Sequence, residues 1–202
     1  VSIGVFAWVN IRYEKAERVD LMIRGAGQFS DTVKRSTHYA MLQNRWEDAF
    51  QIMDTIGKQE GVKELFIHAL LDGRDTPPKS GADYLAQLET ELQRIGFGKV
   101  ATVMGRFYAM DRDKRWERVK KAYDALVSGS GVPATNPVEA VKQSYAQGVT
   151  DEFILPTVIV DEHSIPLTKI KSGDAVICFN FRTDRCREIT QVLTQLDLHE
   201  FG

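Results

Sequence analysis

The chain has 202 residues and a formal net charge of −2, with 43% hydrophobic and 27% charged residues. These values suit one large globular domain, or a domain with additional material. They exclude the global positive field that draws a protein to nucleic acid or membrane. No apolar run reaches the length of a membrane span, and the first residues lack the charged and apolar regions of a leader, so we expect a cytoplasmic protein.

The first sixty residues carry weaker signals than the rest. Residues 1–14 are apolar and β-prone, residues 15–28 have a helical apolar face, and a second helical stripe lies within residues 46–58. We therefore treat residues 1–60 as a divergent N-terminal segment that packs on the domain formed by residues 60–202.

Strands and helices alternate beyond residue 61. Apolar runs of strand length precede amphipathic stretches, two of which begin with cap residues, Ser80 and Asn136. This alternation predicts an α/β fold, a three-layer α/β/α domain with a mainly parallel sheet. Pro156 makes the extended segment 153–160 an edge or irregular strand. The predicted strands are 64–71, 99–104 and 175–181, and the predicted helices are 82–95, 116–126, 137–147 and 184–193.

Each of the three predicted strands runs into a loop that carries arginine. The loops read LLDGRDTPP, GRFYAMDRD and FNFRTDR. Loops at the carboxyl ends of parallel strands emerge together, and the planar guanidinium suits recognition of carboxylate or phosphate. The sequence therefore predicts one convergent site for a small anion. Its candidate residues are Arg74, Asp75, Arg106, Arg112, Arg182 and Arg185.

Each loop also has a structural interpretation. Arg74 and Asp75 suit a local ion pair in a turn, and Arg115 suits the start of a helix. Arg182 and Arg185 are compatible with a solvated helix N-terminus, although two cations there oppose the helix dipole unless an anion or acidic partner is bound.

The histidines and cysteines do not form a recognisable site. His68 lies within a predicted strand, where we expect a satisfied core residue. Cys178 and Cys186 lie eight positions apart across a strand–loop–helix junction, which disfavours a disulfide and fits a reducing compartment. The sequence has no spacing typical of a metal site, a phosphate loop or a Ser-His-Asp triad, so we expect no metal or cofactor bound by this chain.

Four long segments resemble one enzyme family. LLDGRDTPPKS, GRFYAMDRDKRWERVKKAYDALV, DEFILPTVIV and GDAVICFNFRTDR are closely similar to cofactor-independent (2,3-bisphosphoglycerate-independent) phosphoglycerate mutase, from about residue 60 to Gly202. The resemblance implies the phosphotransferase domain of an enzyme whose second, phosphatase-like domain supplies a nucleophilic serine and two manganese ions. In that family the phosphate passes from substrate to serine and returns to the other hydroxyl of the glycerate, which interconverts 3-phosphoglycerate and 2-phosphoglycerate in glycolysis and gluconeogenesis.

The resemblance also implies roles for single residues. Asp75 would be catalytic and handle protons at the glycerate hydroxyls. The nearby cations should lower the pKa of this carboxyl, which suits a base better than an acid. The chain would bind this small-molecule substrate but would be inactive without the phosphatase-like domain. The substrate-binding residues would be Arg74, Arg106, Arg112, Arg182 and Arg185.

The chain departs from the family pattern before residue 60. By gapless counting, Asn44 falls near the position of an active-site histidine of the family, and His38 lies six residues away, so neither receives that role. This departure leaves two other hypotheses. One is a non-catalytic module that binds phosphoglycerate or another anion. The other is a structural domain whose arginines pair internally with Asp72, Asp111 and Asp184.

Overall fold

The computed structural model describes residues 5–13, 54–55, 58, 62–180 and 182–194. The predicted helix over residues 15–28, and nearly all of that over 46–58, lie outside these residues. The strands are β1 (Val5–Tyr13), β2 (Val62–Leu71), β3 (Lys99–Gly105), β4 (Val132–Ala134), β5 (Thr157–Ile159) and β6 (Ala175–Phe179). The helices are α1 (Gly81–Ile95), α2 (Arg106–Ala109), α3 (Trp116–Tyr123), α4 (Pro137–Ala146) and α5 (Thr183–Thr194).

The strands form one mixed sheet in the order β4-β5-β3-β2-β1-β6. The α/β class is confirmed, but only the β2–β3 and β4–β5 pairings are parallel, so the prediction of a mainly parallel sheet is wrong. The main reason is β1, which lies antiparallel between β2 and β6. Nothing in the local pattern of an apolar segment specifies its partner or its direction. Because β6 still runs in the same direction as β2 and β3, the three arginine loops emerge at one edge of the sheet.

Helices cover both faces of the sheet, which gives the predicted three layers. On one face, alternate β2 residues from Leu65 to Leu71 pack against α1 through Leu85 and Leu88 and against α4 through Val141. The opposite core is formed by β2 and β3 with α2, α3 and α5. Its buried members include Leu70, Met104, Tyr108, Val119 and Ile189.

The structure confirms one of the two helix caps that the sequence predicts. Asn136 caps α4 as predicted, since its side chain accepts a hydrogen bond of 2.9 Å from the Glu139 N–H. Ser80 does not cap α1 with its side chain. The buried carboxylate of Asp151 instead accepts the N–H groups of Ser80 (3.0 Å) and Gly81 (2.8 Å), and also bonds the Tyr145 hydroxyl. A partner seventy positions away therefore replaces the local cap.

The Asp111–Arg115 loop is held against α5 through two buried carboxyl groups. Asp111 accepts the N–H groups of Asp113 (2.9 Å) and Arg115 (3.0 Å), while Glu188 of α5 accepts that of Lys114 (2.9 Å). Burial raises the pKa of Glu188, and the neighbouring charge of Asp111 raises it further. Arg115 lies directly before α3, as predicted for a helix start.

Gly105 joins β3 to the arginine loop at a close backbone contact. Its N–H donates to the Ile154 carbonyl oxygen (2.8 Å). A Cβ atom at this position would overlap the carbonyl oxygens of Asp151 and Glu152. The absence of a side chain therefore lets the Asp151–Phe153 turn pack directly on the residue before Arg106.

We expect Gly105→Ala to lower the free energy of unfolding by roughly 1–3 kcal/mol, because the added methyl group forces two backbone segments apart. Urea titration followed by circular dichroism measures this change. Gly148→Ala is the control, since open space surrounds its Cβ position and only the positive φ of 80° opposes the substitution. A Gly105→Ala variant as stable as the parent chain would contradict the steric account.

We expect Glu188→Gln to stabilise the protein at pH 7, because the amide keeps an acceptor for the Lys114 N–H and carries no buried charge. A carboxyl with a raised folded-state pKa costs stability as the pH rises from its ordinary value through the raised one. The gain should therefore shrink toward about pH 4, the ordinary range of glutamate. Thermal unfolding across pH measures it, with the exposed Glu162→Gln as control. A gain that does not vary with pH would refute the explanation.

Candidate anion-binding site

Asp72 organises the loop that follows β2. Its side chain is fully buried, and Oδ1 accepts the N–H groups of Arg74 (3.3 Å) and Asp75 (3.2 Å) and bonds Nη1 of Arg106. Gly73 adopts the left-handed region at φ 63°, which the tight turn requires. The turn thus fixes the backbone of the first arginine loop and ties it to the second loop through Arg106.

Arg106 also bonds Asp75, with 3.0 Å between Nη1 and Oδ2. The hydrogen bond from Arg106 lowers the pKa of Asp75, and the charges of Arg106, Arg182 and Arg185 lower it further. The predicted direction of this pKa shift is confirmed. Asp75, in the loop after β2, therefore faces cations from the two segments that follow β3 and β6, and its side chain remains about half exposed.

Asp184 connects the second loop to the third. Its Oδ2 lies 3.0 Å from Nη1 of Arg112 and 3.1 Å from Nη2 of Arg182, while its Oδ1 lies 3.3 Å from Nε of Arg182. The hydrogen bond from Arg182 is the largest cause that lowers the pKa of Asp184 to about 2. Arginines at the start of a helix oppose its dipole unless an anion or an acidic partner lies nearby. Asp184 is that acidic partner at the start of α5.

Arg185 lies against the second loop with little acidic compensation. Its Nη1 donates to the Met110 carbonyl oxygen (3.3 Å), and its buried Nε has no hydrogen-bond partner within the described residues. Burial lowers the pKa of Arg185, and the positive charges of Arg106, Arg112 and Arg182 lower it further. An anion placed here would relieve both the repulsion and the missing hydrogen bond.

The Arg74 side chain contacts a residue outside the arginine cluster. Its side chain is 65% exposed, and its Nη1 lies 3.8 Å from Oε1 of Glu152. The local Arg74–Asp75 ion pair suggested by the sequence is wrong, since each of these side chains has another partner. Of the six predicted site residues, the structure therefore brings together Asp75 and four arginines and places the guanidinium of Arg74 to one side.

Two acidic residues of this cluster were not predicted as members of the site. Asp72 organises the turn and also pairs with Arg106. The alternative of internal pairing named Asp72, Asp111 and Asp184, and each pairs with an arginine; Asp111 lies 3.7 Å from Arg118. The sequence does contain a signal for these acidic residues, because an aspartate lies within two positions of Arg74, of Arg182 and of Arg185.

His68 is buried in the core, as its strand predicted, but only one of its ring nitrogens is hydrogen-bonded. Nδ1 lies 2.9 Å from Oγ1 of Thr102, the buried Nε2 has no hydrogen-bond partner within the described residues, and desolvation lowers the pKa of His68 to about 4. His38 and Asn44 lie outside the described residues. In the part of the chain that the structure describes, no group of three or more histidine, cysteine or acidic side chains fits a metal ion. Among the helices described, none combines the length and apolarity needed to cross a membrane.

Comparisons with known proteins agree with the resemblance. The sequence model of the family described as BPG-independent PGAM N-terminus matches residues 45–202. The 2,3-bisphosphoglycerate-independent phosphoglycerate mutase of Thermomicrobium roseum is 58% identical over 139 residues, and that of Flavobacterium johnsoniae 55% over 143. These alignments cover 69% and 71% of this chain but only 26% and 28% of the relatives, so the chain spans about a quarter of their length.

A solved structure shows the same fold. It is a Leishmania mexicana phosphoglycerate mutase determined at low cobalt concentration, with a TM-score of 0.71 and 32% identity. The match covers 77% of this chain and 30% of that one. Enzymes of this family depend on metal ions, and the described residues of this chain do not fit a metal centre. The chain belongs to the family formed by the N-terminal region of 2,3-bisphosphoglycerate-independent phosphoglycerate mutases.

Proposed function

We propose that this chain is the phosphotransferase domain of a mutase that interconverts 3-phosphoglycerate and 2-phosphoglycerate. The observation that carries the proposal is the convergence of four guanidiniums on Asp75 and Asp184. A phosphoglycerate carries a carboxylate and a phosphate on three carbons, so several guanidiniums both hold it and fix its orientation. The resemblance assigns the same residues to substrate binding.

Burial divides the cationic residues into two roles. Arg106 is only 5% exposed and is held by Asp72 and Asp75, so it acts as a fixed donor that shapes the site. Arg112 and Arg182 form exposed pairs with Asp184, which contribute little to stability. A substrate anion replaces Asp184 on these arginines at small cost, and Arg185 receives the negative charge that its surroundings lack.

Asp75 is the proposed proton-handling group. Because the neighbouring cations lower its pKa, it is ionised at neutral pH and can accept a hydrogen bond from a glycerate hydroxyl. Arg74 is proposed as a further substrate-binding residue. Its exposed side chain has only a 3.8 Å contact with Glu152, which leaves it free to turn toward a bound anion.

The remaining chemistry would come from outside this chain. The resemblance implies a phosphatase-like domain that would carry the nucleophilic serine and two manganese ions. We also propose residues 60–202 as the domain proper, with residues 1–60 packed on it. β1 pairs with both β2 and β6, so this part of the segment contacts the domain through the sheet itself. A cytoplasmic location stays a prediction, supported by the two free thiols.

We expect Arg182→Ala to weaken 3-phosphoglycerate binding by roughly 10- to 100-fold, the value of one charge-assisted hydrogen bond. Isothermal titration calorimetry measures the affinity. Arg94→Ala is the matched control, because Arg94 forms an exposed pair with Glu91 on α1 and is not part of the cluster. The melting temperature should change little in both variants. Equal affinities would refute the site, and a fall in melting temperature without ligand binding by the parent chain would favour a structural role.

We expect the isolated chain to bind 3-phosphoglycerate without converting it, because the nucleophilic serine that the resemblance implies belongs to the phosphatase-like domain. A form that also carries the phosphatase-like domain should convert it to 2-phosphoglycerate. Chelation of metal ions should then abolish conversion and leave binding by the isolated chain unchanged. Conversion by the isolated chain without metal would refute this division of labour. Binding without conversion in both forms would identify a non-catalytic module.

A further inference from the structure

The two cysteines of the chain meet beside the third arginine loop. Cys178 lies on β6 and Cys186 on α5, and the two Sγ atoms are 2.8 Å apart, with the Cys178 thiol donating to Cys186. Both are free thiols. The sequence analysis expects no disulfide across this strand–loop–helix junction. The helix turns back over the strand instead, so that residues eight positions apart face each other.

The two sulfur atoms need to move only a short distance to form a covalent bond. A disulfide has a sulfur–sulfur distance of about 2.05 Å, so the atoms need to approach by less than about 1 Å. Both cysteines lie on elements held by the rest of the fold. β6 is paired with β1 at Cys178, and α5 is anchored in the core by Ile189 and Val192. The contact is therefore set by the architecture and not by two mobile side chains.

The two sulfur atoms have different acidities. The hydrogen bond from Cys178 lowers the pKa of Cys186, whereas the same bond raises the pKa of Cys178. Cys186 also lies near the start of α5, where the helix dipole favours a thiolate. Cys186 thus has the character of an attacking thiolate and Cys178 that of a resolving thiol. Only a small oxidant fits, because Cys186 is 9% exposed.

We propose that Cys178 and Cys186 form an oxidisable dithiol, which a small hydroperoxide converts to an intramolecular disulfide across the arginine loop. The Cys186 thiolate attacks one peroxide oxygen, the O–O bond breaks, and Cys186 becomes a sulfenic acid. The Cys178 sulfur then attacks the Cys186 sulfur, the S–O bond breaks, and water leaves. In total, two thiols lose two electrons and two protons, and hydrogen peroxide becomes two waters.

The disulfide would enclose the loop that carries Arg182 and Arg185. Because the sulfurs already touch, the bond should leave both guanidiniums in place while it restricts motion of the loop between them. A loop that is already ordered loses less entropy when it binds a ligand. The oxidised chain should therefore bind 3-phosphoglycerate at least as tightly as the reduced chain, a consequence that rests on the proposed function.

The chemical test uses the whole chain and hydrogen peroxide. After treatment, the chain is unfolded in denaturant and alkylated with and without prior reduction, and its intact mass is measured. We expect both thiols to become unreactive together, to regain reactivity on reduction, and to yield a cross-linked peptide that joins Cys178 to Cys186. The melting temperature should rise by roughly 5 °C on oxidation, since the bond constrains the unfolded chain. Cys178→Ser and Cys186→Ser should show neither the reversible joint protection nor the rise.

Three outcomes would overturn the proposal: thiols that stay reactive, dimers linked between chains, or independent conversion of each cysteine to sulfinic acid. Calorimetric titration of both redox forms with 3-phosphoglycerate separates this proposal from the preceding one. A cross-link with binding in neither form supports the dithiol and refutes the substrate assignment. Binding without any cross-link refutes the dithiol alone, and binding lost on oxidation contradicts the claim that the arginines stay in place.

Discussion

The buried ion pair between Asp72 and Arg106 is the constraint on which the site depends. Removal of two charges from water costs several kcal/mol per ion, and their mutual attraction and hydrogen bonds offset part of this cost. Oδ1 of Asp72 accepts two backbone N–H groups as well as Arg106, whereas its buried Oδ2 has no hydrogen-bond partner within the described residues; Arg106 has Asp75 as a second acidic partner. The loops after β2 and β3 therefore adopt one relative position, and Asp75 is held where those loops meet.

Away from this anchor the ion pairs become exposed and weaker. Arg112 and Arg182 share Asp184 at the surface, and Arg185 has a backbone carbonyl as partner. This change from buried to exposed ion pairs suits a site that must both keep its shape and exchange ligands. Internal pairing and the proposed anion binding are then compatible in one cluster, because an incoming anion can replace Asp184 on Arg112 and Arg182.

The sequence predicted the structural features that depend on short-range patterns of residues. The strands β2, β3 and β6, the cap of α4 by Asn136, the burial of His68 and the edge at which the arginine loops emerge all follow from apolar runs and turn residues. Features decided by distant partners could not be read locally. The direction of β1 depends on β2 and β6, the orientation of Arg74 on Glu152, and the meeting of Cys178 with Cys186 on how α5 returns over the sheet.

The cap of α1 has a consequence for the order of folding. The carboxylate that satisfies the first N–H groups of this helix belongs to Asp151, seventy positions later in the chain. Closing so long a loop is entropically costly and is slow compared with formation of local turns. During synthesis α1 would exist with an uncapped start until the polypeptide beyond α4 has left the ribosome. The turn that carries Asp151 also packs against Gly73 and Gly105, so the loops that follow β2 and β3 gain this support only when the distant contact has formed.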